Sequence, residues 1–332
     1  MRVSVIIPNY NRAEIIADTI SNMLSQTLAP HEVIVVDDGS TDSSVEVIRS
    51  FGNKVILIQQ ENKGPGAARN AGLKVATGEF IQFMDSDDLA SLNKLEVQAH
   101  ILEDTGADIV YGPWVKVWIR QNQIKLENVV LQQKKLPETR SPLLWFLTDW
   151  SMVFQQCLLR KSVLDKVGGY REDMKCYEDA DLFVRILLSG GRLVYEDKSL
   201  TFYRLDDYGK LTASGNQQLK RLEDRLTYYN GLVNLARSYP VLDTYFKHPQ
   251  LRVNLLEMRK LASKYGLSPL NFIGFNRIPI RLWVQNWLNR KKKGFQQRLV
   301  GHRWPGSFRP GKLNEWQISL VGELGWKIER NK

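Results

Sequence analysis

Short apolar runs alternate with amphipathic stretches along the first hundred residues of the chain. Such apolar runs are typical of buried strands, and the stretches between them have helical spacing. The predicted strands are Val3–Ile7, Val33–Val36, Val55–Gln59 and Phe80–Met84. The predicted helices are Glu14–Leu28, one that begins at Ser40, Thr41 or Asp42 and ends near Phe51, and Gly66–Ala76. This βαβαβαβ order predicts an α/β fold with a parallel sheet and helices on both faces.

Polar residues cluster where three of these strands end. Asn9 and Tyr10 follow the first strand, Asp37 and Asp38 the second, and residues 85–88 the fourth. In open parallel sheets, ligands bind beyond the carboxyl ends of the strands, where the chain crosses to the helices. We therefore expect a binding site at this edge.

The pattern changes beyond the first hundred residues. The middle of the chain is mixed, with a strand at Ile109–Tyr111 and a helix at Ala180–Leu188, and the spacing beyond Leu219 is helical to the end. The change in pattern divides the chain into an α/β part and a helical C-terminal part.

Composition excludes several protein classes. The 332 residues are 43% hydrophobic, as is ordinary for a globular protein. Two cysteines, Cys157 and Cys176, exclude a disulfide framework and favour a reducing compartment. The first residues lack a signal-peptide pattern, and no apolar run reaches the roughly 18 residues of a membrane-spanning helix. We expect a cytoplasmic protein.

The acidic segment Asp85-Ser86-Asp87-Asp88 is the strongest chemical signal. One of its residues is able to cap the helix that follows, but a cap needs only one carboxylate. Three acids at a buried strand end repel one another, and a divalent cation relieves that repulsion. Mg²⁺ and Mn²⁺ favour oxygen ligands beside phosphates, so we predict a metal site here.

A second acidic pair precedes a turn, in Asp37-Asp38-Gly39-Ser40. A turn with a helix cap explains Gly39, Ser40 and at most one aspartate. The other carboxylate is suited to accept a hydrogen bond from a base N–H or a ribose hydroxyl.

The glycine-rich loop Lys63–Gly72 opens a helix after the third strand. It is not a dinucleotide fingerprint, because Arg69 stands where the third glycine is required and the loop follows the wrong strand. A helix N-terminus with an arginine one turn inside favours a diphosphate site. The alternative is an exposed arginine on a surface helix.

Another acidic segment, Tyr177-Glu178-Asp179-Ala180-Asp181, stands directly before the helical residues Leu182–Leu188. Complementing the helix dipole is one reason for acids there. A carboxylate that returns to the same pocket is also suited to act as a general base on an acceptor hydroxyl.

Five segments together resemble the family 2 glycosyltransferases, in the same order and at similar spacing. They are Val3–Arg12, Val35–Asp42, Gly64–Gly72, Phe80–Asp88 and Glu178–Leu187. The resemblance covers about residues 1–215, which it implies are a catalytic domain that binds a nucleotide sugar. Residues 216–332 are outside it, and we predict that they form a helical, basic module. The resemblance implies the GT-A fold, a Rossmann-like mixed and mostly parallel sheet flanked by helices. It also implies an inverting transfer of sugar from a nucleoside-diphosphate sugar, most often a UDP-sugar, to an acceptor hydroxyl of a glycan, polysaccharide or glycolipid.

The resemblance implies roles for single residues. Those that would bind the donor nucleotide are Pro8, Tyr10, Asn11, Asp37, Asp38, Arg69 and Asp85. Asp87, together with Asp85, would hold Mn²⁺ or Mg²⁺. Asp179 would be the inverting base, with Glu178 beside it for the acceptor. The family often continues with Tyr-Arg-x-His, and here Asp206 stands at the position of that histidine.

Two rival functions remain at this stage. A nucleotidyltransferase of similar fold needs a glycine- and lysine-rich loop after the first strand, and the segment from Pro8 to Asn11 is not one. A non-catalytic basic protein that binds membranes or nucleic acid would use the acids only as helix caps.

Positive charge and tryptophan concentrate at the C-terminal end. Residues 247–332 contain 18 Lys or Arg, 4 Asp or Glu, and five of the nine Trp. Residues 278–293 combine an apolar helical stripe with the basic run Arg290–Lys293, which predicts a peripheral contact with an anionic membrane at the inner face of the plasma membrane. The alternative is that the stripe packs on the catalytic domain. No nucleic-acid partner is expected, because no recognised binding motif accompanies the charge.

Overall fold

A mixed seven-stranded sheet forms the centre of the N-terminal part of the protein. The computed structural model describes residues 1–120, 123–126, 130–148, 152–174, 176–205, 217–266 and 309–330. The strands of this first sheet are β1 (Val3–Asn9), β2 (Glu32–Asp37), β3 (Ile56–Gln59), β4 (Phe80–Phe83), β6 (Ile109–Tyr111), β10 (Cys157–Arg160) and β11 (Leu193–Tyr195). They lie in the order β11-β6-β10-β4-β1-β2-β3, and only β10 runs antiparallel to its neighbours. The mostly parallel sheet implied by the resemblance is confirmed.

Helices cover both faces of this sheet. They are α1 (Ile16–Leu24), α2 (Ser44–Arg49), α3 (Pro65–Val75), α4 (Lys94–Thr105), α5 (Pro142–Thr148), α6 (Lys161–Val167) and α7 (Glu178–Leu188). Successive residues of β1 explain the two layers, since Val5 and Ile7 pack in one apolar core and Ile6 packs in the other. This alternation is the period of two that a strand imposes on its side chains.

The second helix begins later than the sequence predicts. We expected its cap at Ser40, Thr41 or Asp42, whereas α2 starts at Ser44. The reason is that the turn uses these side chains: Asp42 accepts hydrogen bonds from the backbone N–H groups of Ala13 and Ser44, at 3.0 Å each. Ser40 is bonded to Asp37 instead.

A second sheet lies beside the first. Its strands are β5 (Leu89–Ala90), β7 (Trp114–Arg120), β8 (Gln123–Leu126), β9 (Val130–Gln133), β12 (Thr201–Leu205), β13 (Arg309–Gly311) and β14 (Lys327–Arg330). β12 pairs parallel with β7 and antiparallel with β5. β5 comes directly after the acidic segment in the sequence, and β12 lies beside β5. The second sheet therefore forms one wall of the site described below.

The C-terminal part is not helical throughout, so that prediction is wrong at two segments. Its described helices are α8 (Gln217–Ala236), α9 (Val241–Phe246), α10 (Pro249–Lys264) and α11 (Glu315–Gly322). However, β13 pairs with β9, and β14 pairs parallel with β8. The predicted domain boundary and residues 278–293 lie outside the described residues and stay predictions. Within the described ranges, no helix has the length and apolar character needed to cross a membrane.

Candidate active site

Three carboxylates converge at the end of β4. One oxygen from each of Asp85, Asp87 and Asp88 lies within 4.8 Å of the other two. Asp88 is fully buried, whereas Asp85 and Asp87 are half-buried. Three hard oxygen donors this close together fit a divalent cation such as Mg²⁺ or Mn²⁺.

Asp88 has a different role from its two neighbours. Its Oδ1 accepts a hydrogen bond from the backbone N–H of Arg204 at 2.9 Å, and its Oδ2 accepts one from Gln155 Nε2 at 2.6 Å. Asp88 therefore ties the acidic turn to β12 and to the segment before β10. We infer that Asp85 and Asp87 face a cation and that Asp88 supports them.

Arg204 holds the same turn from the other side. Its buried side chain donates from Nε to the backbone oxygen of Asp87 at 2.9 Å and from Nη2 to Asp18 at 2.8 Å. From the sequence, Asp88 was placed only within the acidic cluster, and Arg204 was given no role. Arg204 belongs to the Tyr-Arg-x-His-like segment, so the motif was visible, but its inward direction was not. Asp206 of that segment lies outside the described residues.

Arg69 connects this cluster to the acidic start of α7. Its Nη2 lies 2.7 Å from Asp85, and its Nη1 lies 3.2 Å from Glu178 and 3.6 Å from Asp179. The guanidinium also packs over the ring of Tyr170, 5.2 Å from its centroid. Only 5% of Arg69 is exposed, so the alternative of an exposed surface arginine is wrong. Tyr170 was given no role from the sequence, although Gly168-Gly169-Tyr170 resembles the family's segment that leads to the acidic start of α7.

Asp179 has the environment of a general base. Burial raises its pKa well above the ordinary aspartate value; Arg69 opposes this shift, while Glu178 and Asp85 add to it. Burial also raises the pKa of Glu178, again against the effect of Arg69. Asp179 Oδ1 is buried beside Arg69, whereas 25% of the Asp179 side chain remains exposed. The exposed part of this side chain is therefore suited to receive a proton from a bound hydroxyl.

The aspartates after β2 organise the neighbouring loops. Asp37 accepts hydrogen bonds from Asn9 and from the backbone N–H of Ser40, at 2.9 and 3.0 Å. Asp38 accepts from Gln60 Nε2 at 2.7 Å and from the backbone N–H groups of Lys63 and Gly64 at 2.8 Å each. Asp38 thus fixes the start of the glycine-rich loop at the N-terminus of α3. A carboxylate offers about four acceptor positions, so capacity for a ligand remains.

The loop after β1 completes the same edge of the sheet. Tyr10 is 43% exposed, and Pro8 is half-buried. Asn11 has a positive φ of 52° and accepts a hydrogen bond from the Thr41 backbone N–H at 2.8 Å. Arg12, which the sequence analysis did not select, lies 3.8 Å from Asp87. The predicted site residues among those described therefore lie along one edge, where β1, β2 and β4 end and α3 and α7 begin.

Comparison with known proteins decides the family. Residues 4–168 match the family described as Glycosyl transferase family 2. A glycosyltransferase of Streptococcus pneumoniae, GlyG, is 40% identical over 216 residues, which cover 61% of this chain and 70% of that protein. The chain belongs to glycosyltransferase family 2. An uncharacterized glycosyltransferase of Rickettsia typhi is 30% identical over 236 residues, covering 70% of this chain and 71% of that protein.

Solved structures share the fold of this family 2 glycosyltransferase. S. aureus TarS 1-349 in complex with UDP-GlcNAc has a TM-score of 0.52 at 23% identity, covering 70% of this chain and 67% of that one. A mannosyltransferase from Pyrobaculum calidifontis in complex with GDP-Man and Mn²⁺ has a TM-score of 0.53 at 17% identity, covering 98% and 87%. These likenesses show that the family 2 glycosyltransferase has the GT-A fold. Family membership favours sugar transfer over the two rival functions.

Proposed function

We propose that this transferase inverts the anomeric centre of a UDP-sugar in one displacement onto an acceptor hydroxyl. The observation that supports this most directly is the shared position of Arg69, Asp179 and the carboxylate cluster at one sheet edge. The bond from the acceptor oxygen to the anomeric carbon forms as the bond to the diphosphate breaks. A single displacement inverts the configuration.

Asp179 takes the acceptor proton in this reaction. Its raised pKa strengthens it as a base, and general bases typically contribute 10²- to 10⁴-fold to the rate. Glu178, on the same first turn of α7, is placed to orient the acceptor. Arg69 stabilises the negative charge that develops on the departing diphosphate, because a buried guanidinium is a strong bidentate donor.

Asp85 and Asp87 would hold Mn²⁺ or Mg²⁺. When bound, the ion would neutralise charge on the leaving diphosphate. The converging carboxylates fit such an ion, and the Pyrobaculum mannosyltransferase structure contains Mn²⁺. Asp85 also faces the ribose in this proposal, while Asp88 and Arg204 keep the turn in place.

The nucleotide lies between the ends of β1 and β2. Tyr10 offers an exposed ring for stacking on the base, and Pro8 and Asn11 line the same loop. Asp38, supported by Asp37, accepts from a base N–H. Uracil is proposed because its N–H suits a carboxylate acceptor. The acceptor proposed is a glycan or lipid-linked sugar at an anionic membrane surface.

A donor panel tests this function. The full chain is incubated with UDP-, GDP- and other nucleotide sugars, Mn²⁺ and glycan or glycolipid acceptors, and nucleoside diphosphate release is measured. We expect the greatest release with one UDP-sugar, and NMR of the product should show the inverted anomer. A retained anomer would refute the single displacement, and preference for GDP-sugars would refute the uracil site.

A further inference from the structure

The side chain of Gln155 bridges two members of the carboxylate cluster. Its Nε2 lies 3.1 Å from Asp85 Oδ2 and 2.6 Å from Asp88 Oδ2, and only 2% of the residue is exposed. Carboxylates only accept, so the amide nitrogen and not the amide oxygen must face them. Its two hydrogens match the two acceptors. We propose that Gln155 is a positioning residue that orients the metal ligand Asp85 by tying it to the supporting Asp88, and this inference rests on the metal site proposed above.

The backbone of Gln155 is itself fixed. Its carbonyl oxygen accepts hydrogen bonds from Gln82 Nε2 at 3.2 Å and from Thr201 Oγ1 at 3.3 Å. Gln82 belongs to β4 and Thr201 to β12, so both sheets hold the residue. A side chain anchored in this way is able to impose a distance on its two partners.

Phe154, the residue before Gln155, contacts α7, the helix whose first turn contains the proposed base Asp179. Phe154 stacks on Phe183 of α7 with ring centroids 4.3 Å apart and an interplanar angle of 7°. Glu178 and Asp179 form the first turn of that helix. The short segment 154–156 therefore contacts the carboxylate cluster through Gln155 and the base helix through Phe154.

A neutral donor has a specific advantage at this position. Two carboxylates this close repel each other, and a lysine or arginine between them would add to the positive charge that Arg69 already brings to Asp85, which would repel a divalent cation. The Gln155 amide donates hydrogen bonds without adding charge. Asp85 and Asp88 are thus held together with no further loss of the negative charge that attracts the metal. Groups that orient metal ligands in this way typically change metal affinity 10- to 100-fold when removed.

Two variants and one control test the inference on the full chain. Gln155→Leu removes both hydrogen bonds, and Gln155→Asn keeps an amide that is one methylene too short to reach both acids. The control is Gln156→Leu, because Gln156 is equally buried and donates to Gln133 at 3.1 Å, away from the cluster. Free Mn²⁺ is measured by electron paramagnetic resonance during titration with MnCl2, and metal-free UDP binding is measured by calorimetry.

We expect both Gln155 variants to weaken Mn²⁺ binding about 10- to 100-fold, with metal-free UDP binding within twofold of the wild type. Gln156→Leu should keep the wild-type Mn²⁺ affinity even if its Tm falls as much as the Tm of the Gln155 variants. Unchanged Mn²⁺ affinity in the Gln155 variants, or an equal loss in Gln156→Leu, would overturn the inference. If Gln155→Leu does not fold, Gln155→Asn decides. A wild type that transfers sugar in EDTA and binds no Mn²⁺ would overturn the inference while leaving the transferase function standing.

Discussion

The guanidinium of Arg69 lies 3.6 Å from the carboxylate of Asp179. In the proposed mechanism Arg69 stabilises the charge on the departing diphosphate, and Asp179 takes the proton of the acceptor hydroxyl. One contact therefore joins the donor side of the reaction to the acceptor side. Since Arg69 favours the charged form of Asp179, any change at the arginine should alter the basicity of the aspartate.

Replacing Asp179 tests the base directly. Asp179→Asn should lower turnover by at least about 10²-fold, because the amide cannot accept the acceptor proton. Donor affinity, measured by calorimetry with UDP, should change little. Asp165→Asn is the matched control, since Asp165 is a surface acid paired only with Lys161 among the described residues. Turnover above about a tenth of the wild-type rate in Asp179→Asn would contradict the assignment.

The pH dependence of kcat/KM should report the raised pKa of Asp179. The base must be deprotonated, so activity should fall as the pH is lowered through a pKa well above the ordinary aspartate value of about 3.9. In Arg69→Gln the favourable cation is lost, and the acid limb of the residual activity should move to higher pH. A limb that stays at its wild-type position or moves to lower pH would argue against the pairing.

Metal dependence should appear at Asp87. Asp87→Ala removes one of the two proposed ligands and should weaken Mn²⁺-supported donor binding about 10-fold or more, because the site then keeps one half-buried carboxylate. EDTA should abolish the transferase activity of the wild-type enzyme, and added Mn²⁺ should restore that activity. Full activity in EDTA would exclude the metal from the mechanism.

Lys94 should make the stability of the protein depend on pH. Its side chain is fully buried and donates to Gln98 at 2.8 Å and to Gln82, and burial lowers its pKa to about 7. The unfolded chain holds this proton up to about pH 10.4, so between pH 7 and that value the unfolded state binds more protons. Stability from this group is therefore lowest below pH 7 and rises with pH across that window, by at most about 1.4 kcal/mol per unit.

Urea unfolding of the wild type and Lys94→Met between pH 6 and 9 measures this effect. The difference in unfolding free energy between the two proteins should shift in favour of the wild type as the pH rises. A difference that stays constant over this range would show that Lys94 keeps an ordinary pKa.

Membrane contact through residues 278–293 stays a prediction from the sequence. Each basic residue near an anionic surface contributes about 1 kcal/mol, so Arg290–Lys293 alone suffice for measurable binding. Co-sedimentation with liposomes should rise with anionic lipid and fall with salt. Replacing these four residues by Gln should reduce it strongly, and unchanged sedimentation would show that the stripe serves another purpose.

Local pattern predicted five strands of the first sheet, but it missed β10 and β11 and the strands of the second sheet. The apolar runs at Val3 and Val33 are continuous, and the observed strands extend them by only one or two residues at the ends. The strands β13 and β14 have no such run and form only because distant partners supply hydrogen bonds, so the sequence pattern predicted helix there. Distance along the chain matters more than local propensity at these segments.

The same limit applies to the site. Asp85, Asp87 and Arg69 stand in recognisable motifs, and the structure brings them together. Gln155 contacts Asp85 from 70 positions away, in a segment whose sequence resembles any buried strand start. Its role depends on which way one side chain points, and a single sequence does not encode that in any local pattern.

The pairing of β14 with β8 has a consequence for how the protein is made. Residues 327–330 align with residues 123–126, so about 200 residues are synthesised between the two partners. The first sheet is built largely from neighbouring βα units and has its strands available early in translation. One edge of β8 in the second sheet stays unpaired until residues 327–330 have been synthesised. Contacts between residues this far apart in the sequence form slowly. During synthesis, the unpaired edge of β8 is therefore where a nascent chain is most exposed to pairing with another copy of itself.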